Sequence, residues 1–238
     1  MIVTGVVLAL AVAMIVVERL RPGRDWPTVR TWWLRAIALN IVQISIVFLA
    51  GWTWDGWMVR HRLWSADRLG LIGGAIAGYV IITFIYYWWH RARHASPFLW
   101  RWLHQLHHSP QRIEIITSFY KHPMELITNG ILSSAIAYWL VGLNAETATL
   151  AVTLTGVAEL FYHWNVKTPY WVGFVIQRPE SHLVHHQEGL HAFNYGDLPM
   201  WDMLFGTFRN PKEWQERCGF GDDAELRLGD LLAGRPIA

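Results

Sequence analysis

The 238-residue chain has a single cysteine, Cys218, which excludes an intrachain disulfide and any cysteine-built zinc or iron–sulfur site. Charge is scarce: 16% of residues are Asp, Glu, Lys or Arg, and the formal net charge of +2 leaves no footprint for nucleic acid. No G-x-G-x-x-G element follows a strand pattern and no phosphate loop occurs, so the chain offers no motif for a nicotinamide or flavin of its own. Electrons for any redox chemistry must then come from a partner. Linkers, repeats and low-complexity runs are also missing, and a single unit over 1–238 is expected.

Apolar length and histidine are plentiful instead. Ile2–Val17 is an unbroken apolar run closed by Glu18, Arg19 and Arg21. No basic segment precedes it, which favours a short membrane anchor over a cleaved signal peptide. The arginine-rich loop between Arg19 and Arg35 is expected on the cytoplasmic side. Further spans are expected over Leu34–Trp54, Leu69–Trp89, Leu126–Leu143 and Thr147–Trp164, the last two joined by a tight G-L-N-A turn. In the third span Gly70, Gly73, Gly74 and Gly78 are placed to let a neighbouring helix approach closely. The expected architecture is an all-α, integral membrane helical bundle of about five spans, with a cytoplasmic helical cap. Residues 1–89 supply the N-terminal spans, 90–208 the chemical region and 209–238 a C-terminal tail. Most of the 16 tryptophans read as interface anchors.

Of the 12 histidines, eight fall in three spaced motifs: H-R-A-R-H at His90 and His94, H-Q-L-H-H at His104, His107 and His108, and H-L-V-H-H at His182, His185 and His186. Residues at i, i+3 and i+4 share a helix face, so each motif is expected to aim its imidazoles at one point. Neutral imidazoles packed together need a shared metal, because each must otherwise find a hydrogen bond or protonate and repel its neighbours. One ion takes four to six ligands, so eight or more histidines suggest two ions. His163, at the end of the last span, is a further candidate ligand. Glu159, one turn earlier in an apolar segment, either binds metal or accepts a hydrogen bond from a ligand imidazole. His122, before Pro123, is either a ligand or the entrance to a helix. His191 and the polar group Asn194, Tyr195, Asp197 and Asp202 are candidates to hold the ligand imidazoles from outside, or else to make turns and caps. His61 reads as an ordinary loop residue at the far side.

These residues resemble the fatty acid hydroxylase and sterol desaturase superfamily of integral-membrane diiron enzymes. The likeness rests on H-R-A-R-H, H-Q-L-H-H, H-P-M-E at His122, H-W-N at His163, H-L-V-H-H and the stretch N-Y-G-D-L-P-M-W-D-M-L-F-G-T from Asn194 to Thr207. It covers about Trp88 to Phe208. The resemblance implies two irons held by His90, His94, His104, His107, His108, His182, His185 and His186, with His163 and His122 as further ligands. Some members carry H-x-x-x-H at the end of the last span, and this chain has Glu159 at its first position. An O2-dependent oxidoreductase is implied, either a hydroxylase or a desaturase acting on a fatty acyl, sterol or related lipid. Its electrons would arrive from an external ferredoxin- or cytochrome b5-type donor with its reductase. A bacterial inner-membrane location, with the site on the cytoplasmic face, is the expected setting. Outside that class stand a membrane metal carrier, disfavoured by the histidines lying at span ends without a repeat, and a zinc hydrolase, which needs fewer ligands.

Overall fold

The computed structural model describes residues 2–221 and 223–237. Helix α1 (Ile2–Leu20) and helix α2 (Trp32–Trp52), with its short continuation α3 (Trp54–Arg60), precede the longest helix, α4 (Gly70–Ala95). After α4 the chain turns through α5 (Pro97–Leu99) and a π-helical turn, Trp100–His104, into α6 (Gln105–His108). Helix α7 (Pro123–Ser134) continues as a π-helix over Ala135–Leu140 and is followed by α8 (Ala145–Tyr162). Three short helices, α9 (Pro179–His185), α10 (Pro199–Leu204) and α11 (Leu228–Leu232), complete the chain. No strand occurs among the described residues; Gln187 and Cys218 form an isolated bridge.

Local chemistry sets the helix starts. Pro123 and Pro179 stand in the first turns of α7 and α9, where a missing N–H costs nothing. Asn144 caps α8 by accepting the Thr147 N–H at 3.0 Å, so the G-L-N-A turn also starts the helix that follows it.

Five long helical segments thus stand where spans were expected. By length and composition two continuous stretches, Trp32–Arg60 and Asp67–Ala95, are sufficient to cross a bilayer. Only 28% of each apolar window is buried, so these are not core helices of a water-soluble protein. Their exposed side chains include Ile41, Ile44, Val47, Phe48, Ile72 and Ile76, an outward apolar face suited to lipid.

Helices α4 and α8 pack most closely. A Cβ at Gly78 would fall 2.7 Å from Leu143 Cδ1 and 3.1 Å from Ala151 Cβ, and one at Gly74 would fall 2.8 Å from Thr147 Cγ2. Small residues therefore do let these backbones approach, at Gly74 and Gly78. Gly70 and Gly73 meet no neighbouring helix: Gly70 opens α4 with a φ of 65° and nothing within 4 Å, and Gly73 lies on another face. Ile82, Ile136, Ala137, Leu143, Ala148 and Ala151 fill the space between α4, the π-helix and α8.

The two ends of the bundle differ. At one end the loop before α4 meets the α7–α8 turn: Ala66 N–H donates to Gly142 O at 2.9 Å and Asn144 Nδ2 donates to Asp67 Oδ1 at 3.0 Å. At the other, the loop after α1 meets the end of α8, with Gly23 N–H on Asn165 O at 2.8 Å. The histidines gather at this second end, and His61 lies at the first. The chain beyond α8 folds over the second end and is tied to α4 by Trp201 Nε1 on Thr83 Oγ1 at 3.1 Å. The segment after residue 209 belongs to the same body, since Gln105 Nε2 in α6 donates to Arg235 O at 2.8 Å.

Candidate metal centre

Nine histidines form two groups whose ligand-capable nitrogens lie within 4.8 Å of one another: His90, His94, His104, His108 and His185 in one, His107, His163, His182 and His186 in the other. The groups adjoin, with the His108 and His186 rings stacked at 4.3 Å between centroids. The motifs do not each aim at one point. H-Q-L-H-H sends His104 and His108 to the five-histidine group and His107 to the four-histidine group; H-L-V-H-H does the reverse, sending His182 and His186 to the four and His185 to the five. On an ideal helix i+4 is rotated about 40° from i and i+3 about 60° the other way, so adjacent i+3 and i+4 side chains diverge by about 100°. A point midway between two such helices would satisfy the whole motif. Here two points lie on either side.

In the five-histidine group two nitrogens approach without a proton to share. His90 Nδ1–H donates to Tyr195 O at 2.8 Å, and His104 Nδ1 stands 3.1 Å from Arg93 Nη1 and 3.0 Å from the Arg93-paired Glu125 carboxylate, to which it donates. The Nε2 atoms of both rings then carry lone pairs, yet they stand 2.8 Å apart. In the other group His163 Nδ1–H is committed to Glu159 O at 2.9 Å, and its Nε2 lies 3.1 Å from His182 Nε2. His94 Nε2, His185 Nε2, His107 Nδ1 and His186 Nδ1 are buried without a hydrogen-bond partner. Facing lone pairs and orphaned buried nitrogens are what a cation among them would resolve, so the donor set fits a metal in each group. Burial holds His104, His107, His108, His182 and His186 well below the ordinary imidazole range and lowers His185 to about 3. All six are therefore neutral near pH 7, the form that ligates metal.

The partners that aim these rings come from three places. Glu125, fully buried in the first turn of α7, holds His104 and pairs with Arg93 of α4. Gln177 places its carboxamide 2.8 Å from His182 Nδ1. The third is a turn over residues 191–196, where His191, Phe193 and Asn194 take left-handed φ of 43°, 68° and 49°. It points Phe193 O at His185 Nδ1, 2.7 Å away, and Tyr195 O at His90 Nδ1. Left-handed backbone costs a non-glycine residue about 1–2 kcal/mol. Asn194 offsets this with Nδ2 bonds to Ser181 O and Arg209 O at 2.7 and 2.8 Å, and by accepting Arg209 N–H at 2.7 Å. Asp202 accepts the N–H groups of Tyr195 and Gly196 at 2.8 and 2.9 Å. Burial pushes the Asp197 carboxyl up to about 7, and its carbonyl accepts Gln177 N–H at 3.0 Å.

Two candidates fall elsewhere. His122 joins neither group: its Nδ1 accepts Met124 N–H at 3.1 Å and its Nε2 lies 3.1 Å from Leu232 O, so it takes the helix-entrance role. The Glu159 side chain also joins neither, because Lys121 captures it as an ion pair; its backbone carbonyl is the part that holds His163. His191 does lie against a group, Nδ1 to Nδ1 with His108 at 3.1 Å. The polar group after the last motif acts through backbone carbonyls, with Asn194 and Asp202 holding the turn. Glu125, Gln177 and Phe193 have no spacing signal of their own; only the F-N-Y-G turn chemistry and the carboxylate in H-P-M-E hinted at them.

A helical membrane protein with two adjoining all-histidine groups that could hold metal is the class these features define. Residues 75–207, more than half of the chain, match the fatty acid hydroxylase family, and the chain belongs to that family. It is similar to the sphingolipid C4-hydroxylase sur2 of Schizosaccharomyces pombe, 28% identical over 56% of this chain and 47% of that protein. It is also similar to the ornithine lipid hydroxylase OlsE of Rhizobium tropici, 32% identical over 63% of this chain and 46% of the relative. Alkylglycerol monooxygenase of Homo sapiens is 29% identical over 56% of this chain and 30% of its own length. The chain thus spans about half, or less, of the length of these curated relatives. No solved structure matches it. Family membership favours neither the carrier nor the zinc-hydrolase alternative.

Proposed function

We propose that the chain is a membrane-bound diiron oxygenase that hydroxylates an unactivated C–H bond of a lipid with O2 and external electrons. The observation that carries this reading is the pair of adjoining all-histidine groups whose outer nitrogens are tied to carbonyls or a carboxylate. Imidazole sites suit iron, zinc, copper or nickel, and the family membership supports iron among them. His90, His94, His104, His108 and His185 would hold one ion, and His107, His163, His182 and His186 the other. When bound, the two irons supply O2 activation and removal of a hydrogen atom from carbon.

The chain supplies the rest. Tyr195 O, Phe193 O, Glu159 O and Glu125 fix the ring tautomers so that the free nitrogens face inward. The polypeptide after α8 covers the groups from the water side and excludes solvent that would quench an oxidant. The exposed apolar faces of α2 and α4 give a lipid chain a route from the bilayer to the histidine end of the bundle. Five helical segments, exposed apolar side chains on α1, α7 and α8, and the Arg19–Arg35 loop at the histidine end support five spans with the centre on the cytoplasmic face, as in a bacterial inner membrane. The electron donor is a separate ferredoxin- or cytochrome b5-type protein. Hydroxylation is preferred to desaturation because the similar proteins named above are hydroxylases and a monooxygenase.

The test is iron analysis of detergent-purified protein, followed by turnover with 18O2, a reducing system and total membrane lipid. Two irons per chain and a lipid product carrying one labelled oxygen are expected. Zinc in place of iron, or a product lighter by two hydrogens without label, would overturn the hydroxylase reading.

A further inference from the structure

A polar cavity of about 200 Å3 opens where α1 ends, between Glu18, Arg24, Trp26, Arg112, Glu114 and Asn165. Its charges are unevenly satisfied. Glu114 is saturated, by Arg112 at 2.7 Å, Arg19 at 3.2 Å and Trp32 Nε1 at 3.0 Å. Glu18 is only 2% exposed, and its Oε2 accepts the N–H groups of Ile115 and Asn165, both at 2.9 Å. Its Oε1 accepts no hydrogen bond, and the nearest cation, Arg19, is 3.7 Å away. Trp26 Nε1 and Arg112 Nε are buried donors without a partner. The Arg24 guanidinium lies over the Trp214 ring at 4.9 Å and makes no ion pair among the described residues.

A buried carboxylate oxygen and several unmatched donors around one cavity call for a ligand bearing both a donor and an acid. A metal cation would be repelled by Arg19, Arg24 and Arg112, and a simple anion by Glu18 and Asp25, which also line the cavity. The cavity sits where the apolar run of α1 gives way to charge, the level at which a lipid headgroup leaves the bilayer. A second, water-sized cavity shares Arg24, Trp26 and Asn165 and extends to Tyr162, whose ring lies 4.4 Å from His182 and 4.9 Å from His163. Asn165 is itself two residues from His163. We propose that this cleft holds the headgroup of a zwitterionic lipid substrate, its primary ammonium on Glu18 Oε1 and its phosphate or carboxylate on Arg24 and Trp26 Nε1. The inference deepens the lipid-oxidation reading and rests on it for the word substrate; the binding stands alone.

The test is native mass spectrometry of the purified, iron-loaded protein offered equal amounts of phosphatidylethanolamine, phosphatidylcholine and phosphatidylglycerol. Phosphatidylethanolamine is expected to be retained selectively, since choline has no N–H and glycerol no cation. Loss of one charge-assisted contact in Glu18→Gln or Arg24→Gln should weaken that retention roughly tenfold. Glutamine at position 18 still accepts both backbone N–H groups, and Arg24 lies in a half-buried loop, so the two variants guard against misfolding. Soluble glycerophosphoethanolamine should displace the lipid, and inorganic phosphate should not. Equal retention of all three lipids, retention unchanged in both variants, or displacement by phosphate alone would overturn the headgroup site. Iron content and 18O incorporation are read separately. Selective binding without oxidation would sink the oxygenase reading and leave the site, whereas oxidation without selective binding would sink the site alone.

Discussion

Glu125→Gln isolates one half of the metal centre. The carboxylate is fully buried, accepts the Nδ1–H of His104 at 3.0 Å and neutralises Arg93, whose side chain is 5% exposed. Glutamine keeps the length and one acceptor oxygen but loses the charge, so His104 is held by a neutral bond and becomes a weaker base. Removing such an outer partner typically lowers metal affinity 10- to 100-fold, about 1.4–2.7 kcal/mol. Alanine would be a poorer probe, because stranding buried Arg93 costs about 3–5 kcal/mol of stability. His104 belongs to the five-histidine group alone, so the loss should fall on one ion. An anaerobic Fe2+ titration against a chromophoric chelator reads this directly: the variant should begin to release iron at 10- to 100-fold lower chelator concentration, the ion of the five-histidine group leaving first. Two irons leaving together at parental affinity would refute the division into two groups and the role of Glu125.

His122→Ala should cost about 0.5–2 kcal/mol through loss of the α7 cap while both irons stay; a drop in iron content would return His122 to the ligands. Asn194→Ala removes three hydrogen bonds, about 3 kcal/mol in all, and should loosen the turn that aims His90 and His185, lowering the melting temperature and weakening one iron; unchanged iron affinity would argue against that turn. In metal-stripped protein, His185 titrates at about 3 when folded against about 6.5 unfolded. Below pH 6.5 the unfolded chain therefore takes a proton that the folded chain refuses, and stability falls as pH drops from 6.5 towards 3, by about 1.4 kcal/mol per unit for this group alone. Denaturant midpoints at pH 7.5 and 5.5 test it, and equal midpoints would contradict the buried neutral imidazole.

Much of this was legible in the sequence because helical spacing and apolar length are local. The five helical segments, the turn at Asn144 and the small-residue contact at Gly74 and Gly78 follow from patterns within a few residues. Eight of the nine gathered histidines were visible from their i, i+3, i+4 repetition, and His163 from its place at the end of the last span. Which histidine goes to which group was not, since that depends on how α6 and α9 face each other across the centre. The holders of the rings were hidden for the same reason: a backbone carbonyl such as Phe193 O has no residue type to betray it. His122 and Glu159 show the converse, with suggestive chemistry beside the site but side chains captured by Met124 N–H and by Lys121.

The crossed allotment of α6 and α9 makes the centre a lacing rather than two independent sockets. Either ion, once bound, fastens the segment around His104–His108 to the segment around His182–His186, because each group draws rings from both. The first ion to arrive therefore closes the long loop between them and leaves the remaining rings already gathered for the second. Loading should be cooperative, and chelation of one ion should loosen its neighbour even though the two share no histidine.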